Sequence, residues 1–479
     1  MPATASAQRR ISRLATLTAV HRAFHWLHLH QPQLRQWQLE LVRIPAPPFG
    51  ESARAAWFLS RFQDLGLTNT HLDDAGNALA ELAPDAPSSS SPIPSSGASI
   101  ENVISTEAAD SLTVRRAVDF SQSPQLQRTD SRCGIRRDPP HLAQPALASP
   151  DRGQINAAPP CILLSAHLDT VFPADTPIDP TEEKDSPRIH APGICDNAAG
   201  LTALLAIAAA LRFANITPPI PILFAANVGE EGEGDLRGMR HLFERGPYRT
   251  RIASALILEG GGTAAAIHRA LGSLRFRVTI TGPGGHSWAD AGTPNPILLL
   301  SKALTEIAAL ELPTDPLTTF NVGHISGGTS INSIPESASA LLDLRSTDPT
   351  QLISTATTVH QIFDGIVTAQ STTNTPLKLH IETIGNRPAA TLPDDSPLLH
   401  TLRAVDRHLS LRTELRLGST DANIPLSRGI PALALGSGGI GGGIHTLQEW
   451  YDPTARETAL RRILLTLLDT TQTTANPTH

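Results

Sequence analysis

Acidic and histidine side chains recur where the apolar, strand-like runs of this sequence end. Because the carboxyl ends of strands in an open α/β sheet meet at one crevice, we expect these side chains to converge there. Unpaired buried charges are costly, and a bound metal ion offsets that cost. The sequence therefore predicts a metal site. The set is His167, Asp169, Asp196, Glu230, Glu231, Glu259 and His445.

Two histidines and three carboxylates suit a pair of zinc ions. A catalytic zinc ion usually has three protein ligands and a water, so two ions need six contacts. Five ligands are available, and one carboxylate must therefore bridge the two metals with one oxygen each. A dinuclear site about 3.5–4 Å across can hold a shared hydroxide and stabilise a hydrolytic transition state. Cobalt and manganese also suit such ligands.

Short apolar runs that alternate with helical patterns must position these residues. The runs CILLSAH, PIPILFAAN and ASALILEGG read as strands, and NAAGLTALLAIAAALRF reads as a helix. Such alternation is typical of a largely parallel, buried sheet in an α/β catalytic domain. We assign this domain to residues 33–271 and 386–479.

The pattern changes near Gly272, where SLRFRVTI alternates apolar and polar residues. This strand has one solvated face. The elements that follow give the order β-α-β-β-α-β, which is the ferredoxin-like arrangement. We therefore predict a smaller domain over residues 272–385, inserted into the α/β domain.

Composition excludes several other classes of protein. The chain has 479 residues, 40% of them hydrophobic, and a net charge of −7. The apolar content is therefore high enough for a sizeable hydrophobic core. The net negative charge does not indicate a nucleic-acid-binding surface. No apolar run is long enough to predict a membrane span. Residues 84–157 are rich in serine and proline, and we interpret them as a mostly disordered insertion.

The compartment is predicted from the cysteines and the N-terminal segment. Cys133, Cys161 and Cys195 are too few and scattered for a disulfide framework, which fits a reducing, cytoplasmic location. The apolar stretch LATLTAV after Arg9-Arg10 is interrupted at once by charged and histidine residues. We interpret it as a helix, and a twin-arginine export signal is the alternative.

The sequence resembles the co-catalytic zinc metallopeptidases that include carboxypeptidase G, acetylornithine deacetylase, succinyl-diaminopimelate desuccinylase and bacterial tripeptidases. It is most similar to the tripeptidase-like members in GPGGHSWAD and GSTDANIPLSRGIP. The other motifs that carry the resemblance are SAHLDTV, GICDNAAG, NVGEEGEGD, LILEGG, GGTSINSIPE, LDLRS and GIHTLQEWYD. Outside the insertion, it extends from about residue 33 to residue 475.

The resemblance implies a role for each residue at the strand ends. One zinc would bind His167 and Glu259, the other Glu231 and His445, and Asp196 would bridge them. Asp169 would hold the His167 ring and fix its tautomer. Glu230 would be the general base, taking a proton from the metal-bound water and passing it to the leaving amine. The peptide bond Asp196-Asn197 is often cis in this family.

The smaller domain has its own implied roles. His286 in GPGGHS would cross to the partner subunit's active site and stabilise the oxyanion, so that the chain would form a homodimer through this lid domain. Asn332 and Arg387 resemble residues that bind the substrate's carboxylate. Arg345 is a further candidate, although a structural strand arginine is an equal alternative.

These features predict a dinuclear-metal hydrolase that cleaves an amide bond of a short peptide or an N-acyl amino acid by means of a metal-bound hydroxide. An N-acyl-amino-acid deacylase or a ureido amidohydrolase shares the same motifs and is the first alternative. A non-catalytic, dimeric peptide-binding protein is the remote alternative. Such a protein would be expected to have lost metal ligands or the general base, and this sequence keeps all of them. We expect no nucleic-acid or membrane partner.

Overall fold

Buried apolar strands from both ends of the chain form one central sheet. The computed structural model describes residues 2–84 and 158–476, so the predicted insertion lies outside the described residues except at Pro84. The first described segment contains α1 (Pro2–Ala15), α2 (Thr18–Leu29), α3 (Gln31–Val42), α4 (Ser52–Asp64), β1 (Thr68–Leu72) and β2 (Ala78–Leu82).

The second described segment continues the sheet and then builds a smaller one. It begins with β3 (Cys161–His167), β4 (Thr181–Glu182), β5 (Ile189–His190), α5 (Ala198–Phe213), β6 (Ile222–Asn227), α6 (Arg237–Arg240), β7 (Ile252–Leu258) and β8 (Ala265–Ala270). The smaller unit contains β9 (Gly272–Thr281), β10 (Gly285–His286), α7 (Pro296–Ala308), β11 (Thr318–Gly327), β12 (Ser333–Ile334), β13 (Ser337–Ser346), α8 (Pro349–Gln370) and β14 (Lys378–Arg387). The last elements are β15 (Ala390–Thr391), α9 (Pro397–His408), β16 (Glu414–Gly418), α10 (Asn423–Ser427), β17 (Ala432–Leu435), β18 (Ile440–Gly442), β19 (Trp450–Asp452) and α11 (Arg456–Ala475).

The central sheet has the order β1-β2-β6-β3-β7-β17-β8-β15, with β16 also paired to β8. Its middle strands, β6, β3, β7 and β17, run parallel, as the apolar runs predict. Strands β1, β2 and β15 pair antiparallel, so the sheet is mixed rather than largely parallel. The parallel centre brings the carboxyl ends of β3, β6 and β7 side by side.

Helix α5 covers the central strands β3, β6 and β7. It is apolar around its whole circumference, and a helix of this kind has to be buried. Residues Ala198–Leu211 are all buried, because α5 packs against the sheet strands and against α2 and α3. Among the described residues, no helix is both long enough and apolar enough to span a membrane.

The predicted N-terminal helix consists of two helices, α1 and α2, separated at Thr16 and Leu17. Helix α1 is joined to the C-terminal helix by a bidentate ion pair, in which Arg10 Nε and Nη2 each lie 2.9 Å from a carboxylate oxygen of Asp469. The first helix is thereby part of the packed structure.

A second, separate apolar core lies within residues 274–377. Its four-stranded sheet has the order β11-β13-β9-β14, and α7 and α8 supply its helices, so the predicted β-α-β-β-α-β order is present. The alternation in β9 is as expected, with Phe276, Val278 and Ile280 buried. The assignment of 272–385 as a domain with its own function stays a prediction.

The two chain connections to this second unit lie next to each other. Strand β9 begins immediately after β8, and β14 leads into β15. Ser273 pairs with Arg387 on one side of the connection, and Ala270 pairs with Ala390 on the other. Strand β14 extends to Arg387, two residues beyond the predicted boundary.

A buried ion pair between α9 and α11 gives a test of this packing. Arg462 Nε lies 2.7 Å from Asp406 Oδ1, and the Arg462 side chain is fully buried. Replacing Asp406 by Ala leaves this guanidinium unpaired, so we expect Asp406→Ala to lower the free energy of unfolding by about 3–5 kcal/mol. Urea unfolding followed by circular dichroism measures the loss.

The control for this prediction is the exposed pair of Arg416 and Glu414, whose side chains are 57% and 65% exposed. Glu414→Ala is expected to cost at most about 1 kcal/mol, since solvent screens such pairs. Equal losses for the two variants would contradict the structural role given to Asp406.

Candidate metal centre

The ends of β3, β6 and β7 place the predicted ligands at one edge of the sheet. His167 is the last residue of β3, and Glu259 follows β7 directly. Glu231 lies in the turn after β6, and Asp196 lies just before α5. His445 lies in the turn between β18 and β19. All five side chains predicted to bind metal are therefore brought together.

The Asp196 carboxylate lies between the two histidines. His167 Nε2 is 3.1 Å from Asp196 Oδ1. On the other side, His445 Nε2 is 3.0 Å from Asp196 Oδ2. Each oxygen of this one carboxylate therefore faces a different imidazole.

Each histidine also meets a second carboxylate. His167 Nε2 lies 3.2 Å from Glu259 Oε1, and His445 Nε2 lies 2.9 Å from Glu231 Oε1. Donor atoms close enough to hold a metal ion occur in three groups within the described residues. These groups are His167 with Asp196 and Glu259, Asp196 with Glu231 and His445, and His167 with Glu230 and Glu231.

The tautomer of His167 is set by its other ring nitrogen. Nδ1 lies 3.0 Å from the carbonyl oxygen of Asp169 and 3.5 Å from its carboxylate. An N–H at Nδ1 donates to that carbonyl, which leaves the Nε2 lone pair facing Asp196 and Glu259. The predicted contact between Asp169 and the ring is present, and it is made first through the main chain.

The Asp169 carboxylate has a further task that the sequence does not predict. Its two oxygens accept hydrogen bonds from the main-chain N–H groups of Glu230, at 3.0 Å, and Glu231, at 2.7 Å. Asp169 therefore fixes the turn that carries both of these glutamates.

Asn197 and Glu449 were not among the predicted residues. The Asn197 side-chain oxygen accepts from the N–H groups of Gly200 and Gly260, both at 3.1 Å, and joins the start of α5 to the end of β7. The Asp196-Asn197 bond is cis, as the family resemblance implies. Glu449 is fully buried and accepts hydrogen bonds from the turn that carries Asp196. Its only signal in the sequence is its position as an acidic residue shortly after His445.

The electrostatics of the cluster fit a cation. Burial opposes a charge on His167, but Glu259 and hydrogen bonds to its carboxylate neighbours outweigh burial and hold the pKa of His167 well above its ordinary value. Hydrogen bonds with Asp196 and Glu231 raise the pKa of His445 to about 10. Glu259 Oε2 is buried without a hydrogen-bond partner among the described residues. Histidine and carboxylate ligands with unmet negative charge suit zinc and related divalent ions.

Glu230 is buried and is paired with Arg387. Burial raises the pKa of Glu230 well above its ordinary value, although Arg387 opposes this shift. Arg387 Nη1 is 2.8 Å from Glu230 Oε1, and Arg387 Nη2 donates to the Glu230 carbonyl. Arg387 is itself only 5% exposed and is directed at Glu230. The contact with the predicted base was not predicted for Arg387, whose role in binding a substrate carboxylate stays a prediction.

Asp421, in the motif GSTDAN, lies behind the cluster. It is fully buried, and its Oδ2 accepts a hydrogen bond of 2.6 Å from the side chain of Asn227, the last residue of β6. Burial raises the pKa of Asp421 to about 7. Asp421 therefore supports the strand end next to His167 and does not belong to any of the three donor groups.

The predicted residues of the smaller unit form a second neighbourhood. His286 in β10 pairs with Ser333 in β12, and the Ser287 N–H donates to the Asn332 carbonyl at 3.0 Å. Arg345 lies elsewhere, in β13, where its Nε is 2.7 Å from Asp343. His286, Asn332 and Arg345 belong to none of the donor groups found in the described part of the chain.

The orientation of the His286 ring is fixed by its own turn. Its Nδ1 accepts from the N–H groups of Trp288 and Ala289, both at 3.2 Å. The side chain is exposed. Because Nδ1 is an acceptor, a neutral ring carries its proton on Nε2, and this N–H is free to donate to a ligand.

The profile of the family described as peptidase family M20/M25/M40 matches residues 163–469. The chain belongs to this family. The resemblance seen in the motifs is confirmed.

Curated relatives match over part of their length. A protein from Aspergillus terreus with the name "Probable carboxypeptidase" is 28% identical over 299 residues, which are 58% of this chain and 66% of the relative. A relative from Aspergillus flavus, also named as a probable carboxypeptidase, is 28% identical over 205 residues, which are 39% of this chain and 46% of the relative. The chain thus covers less than two thirds of either relative.

Solved structures share the fold over nearly the whole chain. A tripeptidase from Staphylococcus aureus has a TM-score of 0.63 and 18% identity, over 92% of this chain and 98% of its own. A Bacillus subtilis protein described as a dinuclear metal binding peptidase from the M20 family has a TM-score of 0.57 and 12% identity, over 93% and 99% of the two chains. The predicted α/β fold is confirmed by these similarities.

Asp169 provides a test of how the metal centre is held. In Asp169→Asn, one carboxylate oxygen becomes an amide that faces a main-chain N–H of the 230–231 turn. We expect metal affinity to fall by about 10–100-fold, as for other residues that orient ligands. Isothermal titration of the metal-free protein with Zn²⁺ measures the change. Asp364→Asn, at an exposed position of α8, is the control, and equal affinities for the two variants would contradict the role of Asp169.

Proposed function

We propose that this protein is a dinuclear-metal hydrolase that cleaves an amide bond of a short peptide or an N-acyl amino acid. The observation that carries the proposal is the position of Asp196, which presents one oxygen to His167 and the other to His445. A carboxylate placed in this way can serve two metal ions at once. Membership of the peptidase family supports an amide substrate.

The two metals would be zinc, or alternatively cobalt or manganese. One would be held by His167 and Glu259, and the other by Glu231 and His445, with Asp196 shared. When bound, such ions activate water and polarise the scissile carbonyl. Because the His167 side chain is fully buried and that of His445 is 51% exposed, the substrate would approach from the His445 side.

Glu230 would act as the general base. It lies in the donor group with His167 and Glu231, so its carboxylate would be close to a water bound at the metal site. It would accept a proton from that water and return it to the nitrogen of the leaving amine. The 2.8 Å contact with Arg387 Nη1 would orient the Glu230 carboxylate during both transfers.

The oxyanion would be stabilised by His286 of a second subunit. The Nε2–H of this exposed ring is oriented by its turn, as a preformed donor should be. We propose residues 272–385 as the lid domain through which a homodimer forms, and residues 33–271 and 386–479 as the catalytic domain. Asn332, close to His286, and Arg387 would bind the substrate's carboxylate, with Arg345 as a further candidate.

The solved structures similar in fold include a tripeptidase and, from Burkholderia vietnamiensis, an amidase of the hydantoinase/carbamoylase family. An N-acyl-amino-acid deacylase and a ureido amidohydrolase are therefore kept as outcomes of the substrate test.

The buried free thiols of Cys161 and Cys195 are compatible with a cytoplasmic location.

A hydrolysis screen of dipeptides, tripeptides and N-acyl amino acids tests the proposal directly. The protein is first loaded with Zn²⁺, Co²⁺ or Mn²⁺, and amine release is measured. We expect turnover of at least one substrate class, and Glu230→Gln should lower kcat by about 10²–10⁴-fold while the metal content is unchanged.

The control for this measurement is Glu233→Gln, which changes an exposed glutamate of the same loop and should retain the wild-type rate. Hydrolysis by Glu230→Gln at that rate would refute the general-base assignment. No hydrolysis of any substrate by the metal-loaded wild type would refute the proposed activity.

The action of His286 on a partner subunit predicts complementation. We expect His286→Ala and Glu230→Gln each to be nearly inactive as homodimers. In a coexpressed mixture, half of the randomly formed dimers carry one complete site, so activity should return to about a quarter of the wild-type value. The rate is measured after both chains are purified together by one shared tag, which keeps all three kinds of dimer in the sample. If the mixture stays inactive, His286 does not act on the partner's site.

A further inference from the structure

Glu449 makes an unusual set of contacts for a side chain outside the donor groups. It is fully buried, and its carboxylate accepts three main-chain hydrogen bonds from the turn before α5. Oε2 accepts from Gly193 at 2.9 Å, and Oε1 accepts from Cys195 at 2.8 Å and from Asp196 at 2.9 Å. Three N–H groups of the turn that carries Asp196 therefore donate to the single carboxylate of Glu449.

The main chain of Glu449 is tied to the same two regions. Its N–H donates to the carbonyl of Thr446, the residue after His445, at 3.2 Å. Its carbonyl accepts from Ala191 at 3.0 Å, at the start of the Asp196 turn. The following residue, Trp450, pairs with His190 where β19 meets β5. One residue therefore connects the turn of His445 with the turn of Asp196.

We propose that Glu449 is a positioning residue that sets the Asp196 carboxylate against His445 and so determines how tightly the metal pair is bound. The inference rests on the proposed function, because it needs metal ions at this site. It adds a residue that itself offers no ligand atom and whose effect on the metals passes through Asp196.

The distances show why such a residue is needed. Asp196 reaches His167 with one oxygen, at 3.1 Å, and His445 with the other, at 3.0 Å. A small rotation of the Asp196 main chain would lengthen one of these distances. Carboxylates that accept main-chain N–H groups are held firmly, because charge-assisted hydrogen bonds are stronger and more directional than neutral ones.

The variant Glu449→Gln separates positioning from simple stability. Glutamine keeps the size of the side chain, but its amide group presents N–H donors to a turn that offers only N–H donors. A matched control is Glu81→Gln, because Glu81 is also a buried glutamate and its carboxylate accepts hydrogen bonds from Tyr248, Arg251 and Asn69. Glu81 lies on β2, away from the donor groups.

The experiment titrates metal-free full-length protein with Co²⁺, following heat and the visible absorption of the bound ion. We expect Glu449→Gln to bind Co²⁺ about 10–100-fold more weakly than the wild type and with an altered absorption band, since residues that orient ligands have effects of this size. Glu81→Gln should keep the wild-type affinity and spectrum, even where its metal-free form unfolds at a lower temperature.

The outcomes distinguish this inference from the proposed function. Wild-type affinity and spectrum in Glu449→Gln would overturn the positioning role alone, whereas no Co²⁺ uptake by the wild type would overturn the proposed function and this inference with it. Equal weakening by Glu81→Gln would also overturn the positioning role, because a general loss of stability would then explain both variants. If Glu449→Gln does not fold, Glu449→Asp replaces it, with the same expected loss because its shorter side chain cannot reach all three N–H groups.

Discussion

Repulsion among buried carboxylates is the constraint on which the arrangement at the sheet edge depends. Asp196, Glu231 and Glu259 lie within hydrogen-bond distance of two imidazoles, and Glu230 lies beside them. Like charges held together away from water disfavour one another strongly, so positive charge has to share the space. Arg387 supplies part of it to Glu230, and the raised pKa values of both histidines reflect the same demand. The strand ends are therefore organised by the balance of charge as much as by the apolar core.

Main-chain N–H groups hold the irregular turns in which these acids lie. Asp169 accepts hydrogen bonds from two of these groups in the 230–231 turn, and Glu449 accepts hydrogen bonds from three in the 193–196 turn. Asn197 accepts one from α5 and one from the residue that follows the end of β7 by two positions. Regular strands need no such help, because their neighbours satisfy the backbone. The turns have no neighbours of that kind, so buried polar side chains take over that task. This explains why the surroundings of the predicted metal ligands are as polar as those side chains themselves.

The sequence predicts which five side chains come together because two simple regularities meet in them. Apolar runs mark the strands, and the parallel arrangement places the strand ends together. Strands β8 and β16 were missed, since AAIHRA and ELRLG are short and carry charges. The pairing of Arg387 with Glu230 was also missed, because it depends on where the end of β14 approaches the turn after β6. Glu449 has no periodic pattern around it, and only the three-dimensional path of two turns reveals its contacts.

The adjacent connections of the smaller unit affect how the chain can be assembled. Residues 272–387 leave and re-enter the central sheet between two paired positions, Ser273 with Arg387 and Ala270 with Ala390. To the rest of the chain, this long segment therefore behaves as a loop whose ends are already in contact, and the entropy of closing a loop grows only slowly with its length. The larger sheet can acquire its register before or after the smaller unit folds. Changes of length within the smaller unit that keep both paired positions would thus leave the register of the larger sheet unchanged.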